Sequence, residues 1–147
     1  MKKIDIALLI ARVGIAALML THGIPKLMML LSGAPIQFPQ VFGMSAEFSL
    51  VLTVLAEVFG SIFLLAGLFT RLAVIPLIGT MLVATLLIHS ADPLSAKEPA
   101  LLYLTTYLVL LFAGSGKYSV DYLLKKRLVK TKPNKMEVED PTYAIYQ

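Results

Sequence analysis

Apolar residues fall into four long blocks along this chain, each interrupted at only a few polar positions, and a polar stretch closes the sequence. The first block runs from Ile4 to about Ile24 and contains Arg12 and His22. The second runs from about Ala46 to Phe69 with Glu57 inside it, and the third, Leu72 to His89, carries no charge between its ends. The fourth runs from about Lys97 to Ala113, with charge only on its first two residues. A helix needs about 20 apolar residues to cross the hydrocarbon layer, so each block predicts one membrane span. Ser95-Ala96-Lys97-Glu98 has capping-box spacing, Pro99 fits a first helical turn, and Gly114 and Gly116 predict the end of the fourth helix.

The connections refine this picture. Thr70-Arg71 alone separates the second and third blocks, predicting a tight antiparallel hairpin. The loop from Ser32 to Ser45 is uncharged and places Gly33, Pro35, Pro39 and Gly43 among Ile36, Phe38, Val41 and Phe42. Such a loop either lies in the headgroup layer or dips back onto the mouth of the bundle. After Gly116, the segment Ser119 to Val129 combines apolar residues with Lys125, Lys126 and Arg127 as a short amphipathic helix on the inner membrane surface would. Residues 131–147 are polar and broken by proline, which predicts a disordered cytoplasmic tail. Residues 1–130 then form one membrane domain that includes the amphipathic segment.

Composition removes the soluble alternatives. Of 147 residues, 58% are hydrophobic and 15% charged, against about 25% charged in soluble domains, and the mean hydropathy is +0.82. The absence of cysteine excludes disulfides, thiolate metal sites and iron–sulfur clusters, so a redox role requires a borrowed cofactor. The net charge is +4, but seven of the thirteen Lys and Arg residues lie between Lys117 and Lys135. A basic run beside a membrane span faces anionic lipid rather than nucleic acid. Met1-Lys2-Lys3 opens the chain as a signal peptide would, yet the apolar run is too long and Arg12 interrupts it, so the first block is expected to be retained. Lys2, Lys3, Arg71 and the seven residues from Lys117 to Lys135 fall on one side, and Lys97 and Lys26 on the other. The positive-inside rule makes the first side cytoplasmic, giving an all-α, four-span bundle with both termini inside.

An ionisable side chain at mid-bilayer costs about 2.5–3.5 kcal/mol on insertion scales, so those inside the spans are expected to be paired or used. At 1.5 Å per residue, Arg12 stands about 12 Å from the inner end of the first span and Glu57 about 18 Å from that of the second. These depths predict an Arg12–Glu57 ion pair, either locking the bundle or flooring a ligand cavity. Arg12 and Lys26 lie about 40° apart around the first helix, with His22 about 80° from Arg12, so one face is polar from its middle to its outer end. Glu47 opens the second span and His89 ends the third at that same outer level. His22, Lys26, Glu47 and His89 are therefore expected around one opening above Arg12 and Glu57. No local ligand motif supports a metal, and two histidines on separate helices are thin support for haem. A quinone or another small amphiphile, whose oxygens need one or two buried donors between apolar walls, suits the set better. Gly114-Ser115-Gly116-Lys117 lacks the spacing of a phosphate loop. Ala56, Gly60 and Gly67 are small residues spaced for close helix packing.

The ordered set Arg12-x-Gly14, His22-Gly23-x-x-Lys26-Leu27, Glu57-x-x-Gly60, Leu64-Leu65-x-Gly67-Leu68-x-Thr70-Arg71-Leu72-Ala73, His89 and Gly114-x-Gly116-x-x-Ser119-x-Asp121 resembles the DoxX family of small bacterial integral membrane proteins. The resemblance covers roughly residues 5–124. It implies a four-helix bundle in the bacterial cytoplasmic membrane and an association with quinone-linked oxidoreductase systems, including the oxidation of sulfur compounds. Without cysteine, this chain would leave thiol chemistry to a partner. The leading expectation is a subunit of a membrane oxidoreductase system that binds a quinone or small amphiphile. Its candidate ligand residues are His22, Lys26, Arg12, Glu57, His89 and Glu47, and its partners are the lipid bilayer, a membrane or soluble oxidoreductase, and a second copy of the chain. A small-solute transporter and a non-catalytic scaffold for a soluble redox partner are the alternatives. No intrinsic catalytic motif is evident, and nucleic-acid binding is excluded.

Overall fold

The computed structural model describes residues 3–130; the segment expected as a tail, 131–147, lies outside the described residues. Four helices are long and apolar enough to cross a membrane: α1, Lys3–Leu31; α2, Ala46–Ala66; α3, Thr70–Ile88; and α4, Leu94–Ala113. The helix α5, Val120–Lys130, follows. Among the described residues the secondary structure is entirely helical, as expected. Each span packs on its neighbours in sequence and α4 returns to α1, closing the four-helix bundle. One end, here the basic end, gathers the start of α1, the α2–α3 turn and α5. The other, the loop end, gathers residues 32–45 and the α3–α4 connection.

Local sequence explains most of these boundaries, and long-range contacts explain the departures. Ser45 caps α2 as its hydroxyl accepts from the Phe48 N–H at 3.2 Å, a standard solution for an unpaired first-turn donor. Residues 96 to 98 were expected to start α4, but that helix begins at Leu94 behind Pro93. The capping box therefore does not form, because Ser95 and Glu98 already lie inside the helix. Lys97 instead donates back to the Ser90 carbonyl at 2.9 Å. The first helix continues past Ile24 to Leu31 and absorbs Pro25.

The α2–α3 hairpin also turns earlier than expected. Gly67 adopts a left-handed conformation, φ 66°, and ends α2 while the Leu68 N–H bonds the Phe63 carbonyl at 2.9 Å, the Schellman closure. Thr70 then belongs to α3 rather than to the turn. The cap of α3 comes from far away in sequence: the Asp121 carboxylate accepts from the Phe69 and Thr70 N–H groups at 2.8 and 3.2 Å. A carboxylate at a helix N-terminus also meets the positive end of the helix dipole.

Close helix contact occurs at Gly60, one of the small residues expected there, and also at Gly23. A Cβ at Gly60 would stand 3.1 Å from Leu77 and 3.3 Å from the Ala73 carbonyl, and one at Gly23 would stand 3.0 Å from Val58 and 3.2 Å from the Glu57 Cβ. The basic half of the bundle is filled by Ala16, Leu64, Val74, Leu77, Tyr107 and Leu110, all fully buried. In the other half Leu50, Val54 and Val58 form a smaller cluster, onto which Ile36 and Phe38 fold. The uncharged loop therefore dips back onto the bundle.

Gly67 and Gly14 should respond in opposite ways to alanine. A Cβ at Gly67 would collide with the Arg12 guanidinium and crowd Ser119 on a left-handed backbone, so Gly67→Ala is expected to lose more than about 1 kcal/mol. A Cβ at Gly14 meets nothing within 4 Å, and Gly14→Ala should gain about 0.5–1 kcal/mol from helix propensity. Thermal unfolding in detergent measures both, and equal shifts would contradict this packing.

Candidate functional site

The ionisable residues of the spans sort into two clusters at different depths. At the basic end, Arg12 is 1% exposed and donates from Nη2 to the Tyr118 carbonyl at 2.7 Å. Its guanidinium lies against Gly67, within coulombic range of the Asp121 carboxylate. The Asp121 N–H bonds the Gly67 carbonyl at 3.0 Å. Asp5 accepts from the Lys117 N–H at 3.2 Å, and Arg71 donates to the Phe112 carbonyl at 3.1 Å. Ser119 accepts from the Tyr122 N–H at 3.2 Å and so caps α5. These contacts tie α1, the α2–α3 turn, the end of α4 and α5 into one clasp.

The expected Arg12–Glu57 pair does not form. Gly23, not Arg12, crosses α1 against Glu57, and Arg12 lies eleven residues further toward the basic end, about 16 Å along the helix. The expectation aligned the inner ends of the first two spans, whereas α1 extends beyond the end of α2, so that Leu8 packs beside Gly116. Arg12 is consequently level with Gly67 and belongs to the clasp.

Glu57 pairs instead with Lys26, whose Nζ donates to Oε1 and Oε2 at 2.6 and 2.7 Å. The two side chains are 28% and 3% exposed, Lys26 being the more accessible. Glu57 sits in a π-helical segment of α2, Leu55–Phe59, and a second such segment, Ala84–Ile88, ends α3 beside it. A π-segment redirects side chains that a regular helix would point elsewhere, and such segments are frequent at functional sites.

Two cavities meet at this pair. The larger, about 510 Å³, lies between α2, α3 and the folded-back loop, and Leu52, Thr53, Gly79, Val83, Phe38 and Phe42 are among its walls. Pro76 and Gly79, in the middle of α3, are exposed and also line it, so it opens sideways toward lipid. The smaller, about 290 Å³, lies between α1, α3 and α4 and is lined by His22, Tyr103, Met19 and Met81 among others. Lys26, Glu57, Ala84 and His89 border both. The His22 ring meets Tyr103 edge-on at 5.8 Å, and Tyr103 lies 6.1 Å from Tyr107. His89 Nδ1 is 2.7 Å from the Asp92 carboxylate.

Of the residues expected around one opening, His22, Lys26 and His89 come together with Glu57. Glu47 is exposed in the first turn of α2 and lines neither cavity, and Arg12 is absent from both linings. Tyr103 and Tyr107 were missed in the sequence. Their spacing of four on an apolar helix, which places them on one face, was the available signal. Among the described residues, no group of three or more His, Asp or Glu side chains comes together as a metal site would need.

A protein-family model described as DoxX matches residues 7–90, which include Arg12, His22, Lys26, Glu57, Gly67 and His89. No curated protein and no solved structure matches the chain.

Breaking a buried ion pair strands the remaining charge, at a cost of about 3–5 kcal/mol. Lys26→Met leaves Glu57 behind at 3% exposure, whereas Glu57→Gln leaves a lysine that is 28% exposed and can reach water. Unfolding measurements should therefore show the larger loss for Lys26→Met, and recovery toward wild type in Lys26→Met/Glu57→Leu. A double variant as unstable as the worse single one would contradict the pairing.

Proposed function

The chain belongs to the DoxX family, and from that premise we propose that it binds a quinone or similar small amphiphile as a subunit of an oxidoreductase system in the bacterial cytoplasmic membrane. The supporting observation is the Lys26–Glu57 pair at the base of an apolar cavity that opens sideways between α2 and α3. A volume of about 510 Å³ falls within the usual range for small-molecule sites, which is about 300–1,000 Å³.

The pair also selects the ligand by charge. An ammonium has three N–H donors, and Lys26 spends two on Glu57, leaving one for a ligand acceptor. Glu57 already neutralises the ammonium, so an anionic headgroup would gain no net attraction and would meet the carboxylate. A neutral carbonyl oxygen is the better match, with its apolar body against Leu52, Val83 and Phe38. His89 borders the same cavity as a further polar contact for the ligand, whereas His22 flanks the pair from the smaller cavity. Without cysteine, the chain would pass electrons through the bound ligand to a partner. Transport is the weaker reading, because the basic half beneath both cavities is filled by Leu64, Val74, Leu77, Tyr107 and Leu110 and closed by the Arg12 clasp.

The test uses protein purified from its native membrane in mild detergent, followed by a reduced-minus-oxidised ultraviolet difference spectrum of its solvent extract. Wild type is expected to carry a quinone-type change. Gly79→Leu, which fills the cavity from a position with nothing within 4 Å of the new Cβ, should lose it at unchanged folded yield. Wild type without a bound amphiphile, or Gly79→Leu retaining it, would contradict the proposal.

A further inference from the structure

The two cavities share one ion pair but differ in what their walls accept. Five of the eleven residues lining the smaller one, His22, Lys26, Glu57, His89 and Tyr103, carry polar side chains. Ala96, Pro99 and His22 are exposed along it, and the His89–Asp92 pair stands at its rim. From Ala96 to Tyr103 the cavity follows seven residues of α4, about 10 Å, from the loop end down to the depth of Glu57. We propose that this smaller cavity is a hydrated vestibule giving the buried Lys26–Glu57 pair access to water, and hence to protons, from the loop end of the bundle.

Hydrogen-bond accounting supports this. An ionised carboxylate offers about four acceptor positions. Among the described residues Glu57 receives hydrogen bonds from Lys26 alone, one on each oxygen. Buried acceptors left over in this way are normally satisfied by water. A volume of about 290 Å³ leaves room for several waters at about 30 Å³ each.

Besides the pair itself, which joins α1 to α2, the titratable groups around it come from α1, α3 and α4. They are His22 on α1, His89 on α3, and Tyr103 and Tyr107 on α4, with Asp92 beyond His89. All but Tyr107 lie along the vestibule or at its rim. A proton leaving or reaching the pair thus has a polar route to the loop end, while the larger cavity offers Leu52, Val83 and Phe38. By Lys and Arg placement the loop end is the outer side. The vestibule goes beyond the ligand reading and stands whether or not an amphiphile fills the larger cavity.

A chain without cysteine allows a direct test. Single-cysteine variants Ala100→Cys, on the vestibule wall, and Thr53→Cys, on the wall of the larger cavity, are treated in intact cells and in inverted membrane vesicles. The probes are a charged, membrane-impermeant methanethiosulfonate and a neutral maleimide, with Ser90→Cys as the exposed reference. Because thiol modification follows access, the charged reagent applied outside should modify Ala100→Cys at least about tenfold faster than Thr53→Cys. The neutral reagent should reach both. If Ala100→Cys does not accumulate, Ala96→Cys at the mouth and Met81→Cys deeper in the same cavity give the same comparison. Resistance of the vestibule cysteines to the charged reagent from both sides, or modification only from the cytoplasmic side, would overturn the vestibule and leave the amphiphile reading unaffected.

Discussion

A charge inside a bilayer must bring its own partner, and this bundle places a cation in each half of α1. Lys26 meets Glu57, whereas Arg12 relies on the Tyr118 carbonyl and the nearby Asp121 carboxylate. The two solutions serve different ends. The lysine shares a carboxylate across two cavities and stays partly accessible. The arginine is sealed at 1% exposure inside a network that joins all four spans. A buried pair replaced by apolar residues is often no less stable, so stability alone gives little reason to keep Lys26 and Glu57. The cavities on either side of them supply a reason.

The backbone bends to suit this pair. Both π-segments lie at its level, one carrying Glu57 and the other ending next to His89. Gly23 lets α1 approach α2 there, bringing Lys26, one turn further on, within reach of the carboxylate. On the proposed reading the closely packed basic half serves as the rigid base, and the open half beneath the folded-back loop holds the ligand. A site supported by a packed core on one side and a mobile lipid phase on the other suits a ligand that diffuses within the membrane.

Much of this architecture is written locally. The four apolar blocks, Ser45 as a cap, the glycines after Ala113 and the amphipathic run after Ser119 each specify an element through short-range physics. The polar face of α1 likewise identified His22 and Lys26 without a structure. What could not be read depends on register between helices. Arg12 and Glu57 seemed level only because α1 was assumed to end with α2. The cap from Asp121 joins residues more than fifty positions apart, beyond any local rule. Glu47 was grouped with the histidines by depth, but its rotation around α2 points it away from them. Tyr103 and Tyr107 were visible as a pair four apart, yet only packing shows that they stand beside His22 and the core.

The central claim is that the neutral Lys26–Glu57 pair retains an uncharged amphiphile in the lateral cavity. Native mass spectrometry of the protein released directly from membrane vesicles tests it most directly, because no extraction intervenes. The account predicts a defined adduct of an apolar small molecule on wild type that disappears from the folded Lys26→Met/Glu57→Leu double variant. An adduct carried equally by both proteins, or none on wild type, would contradict it.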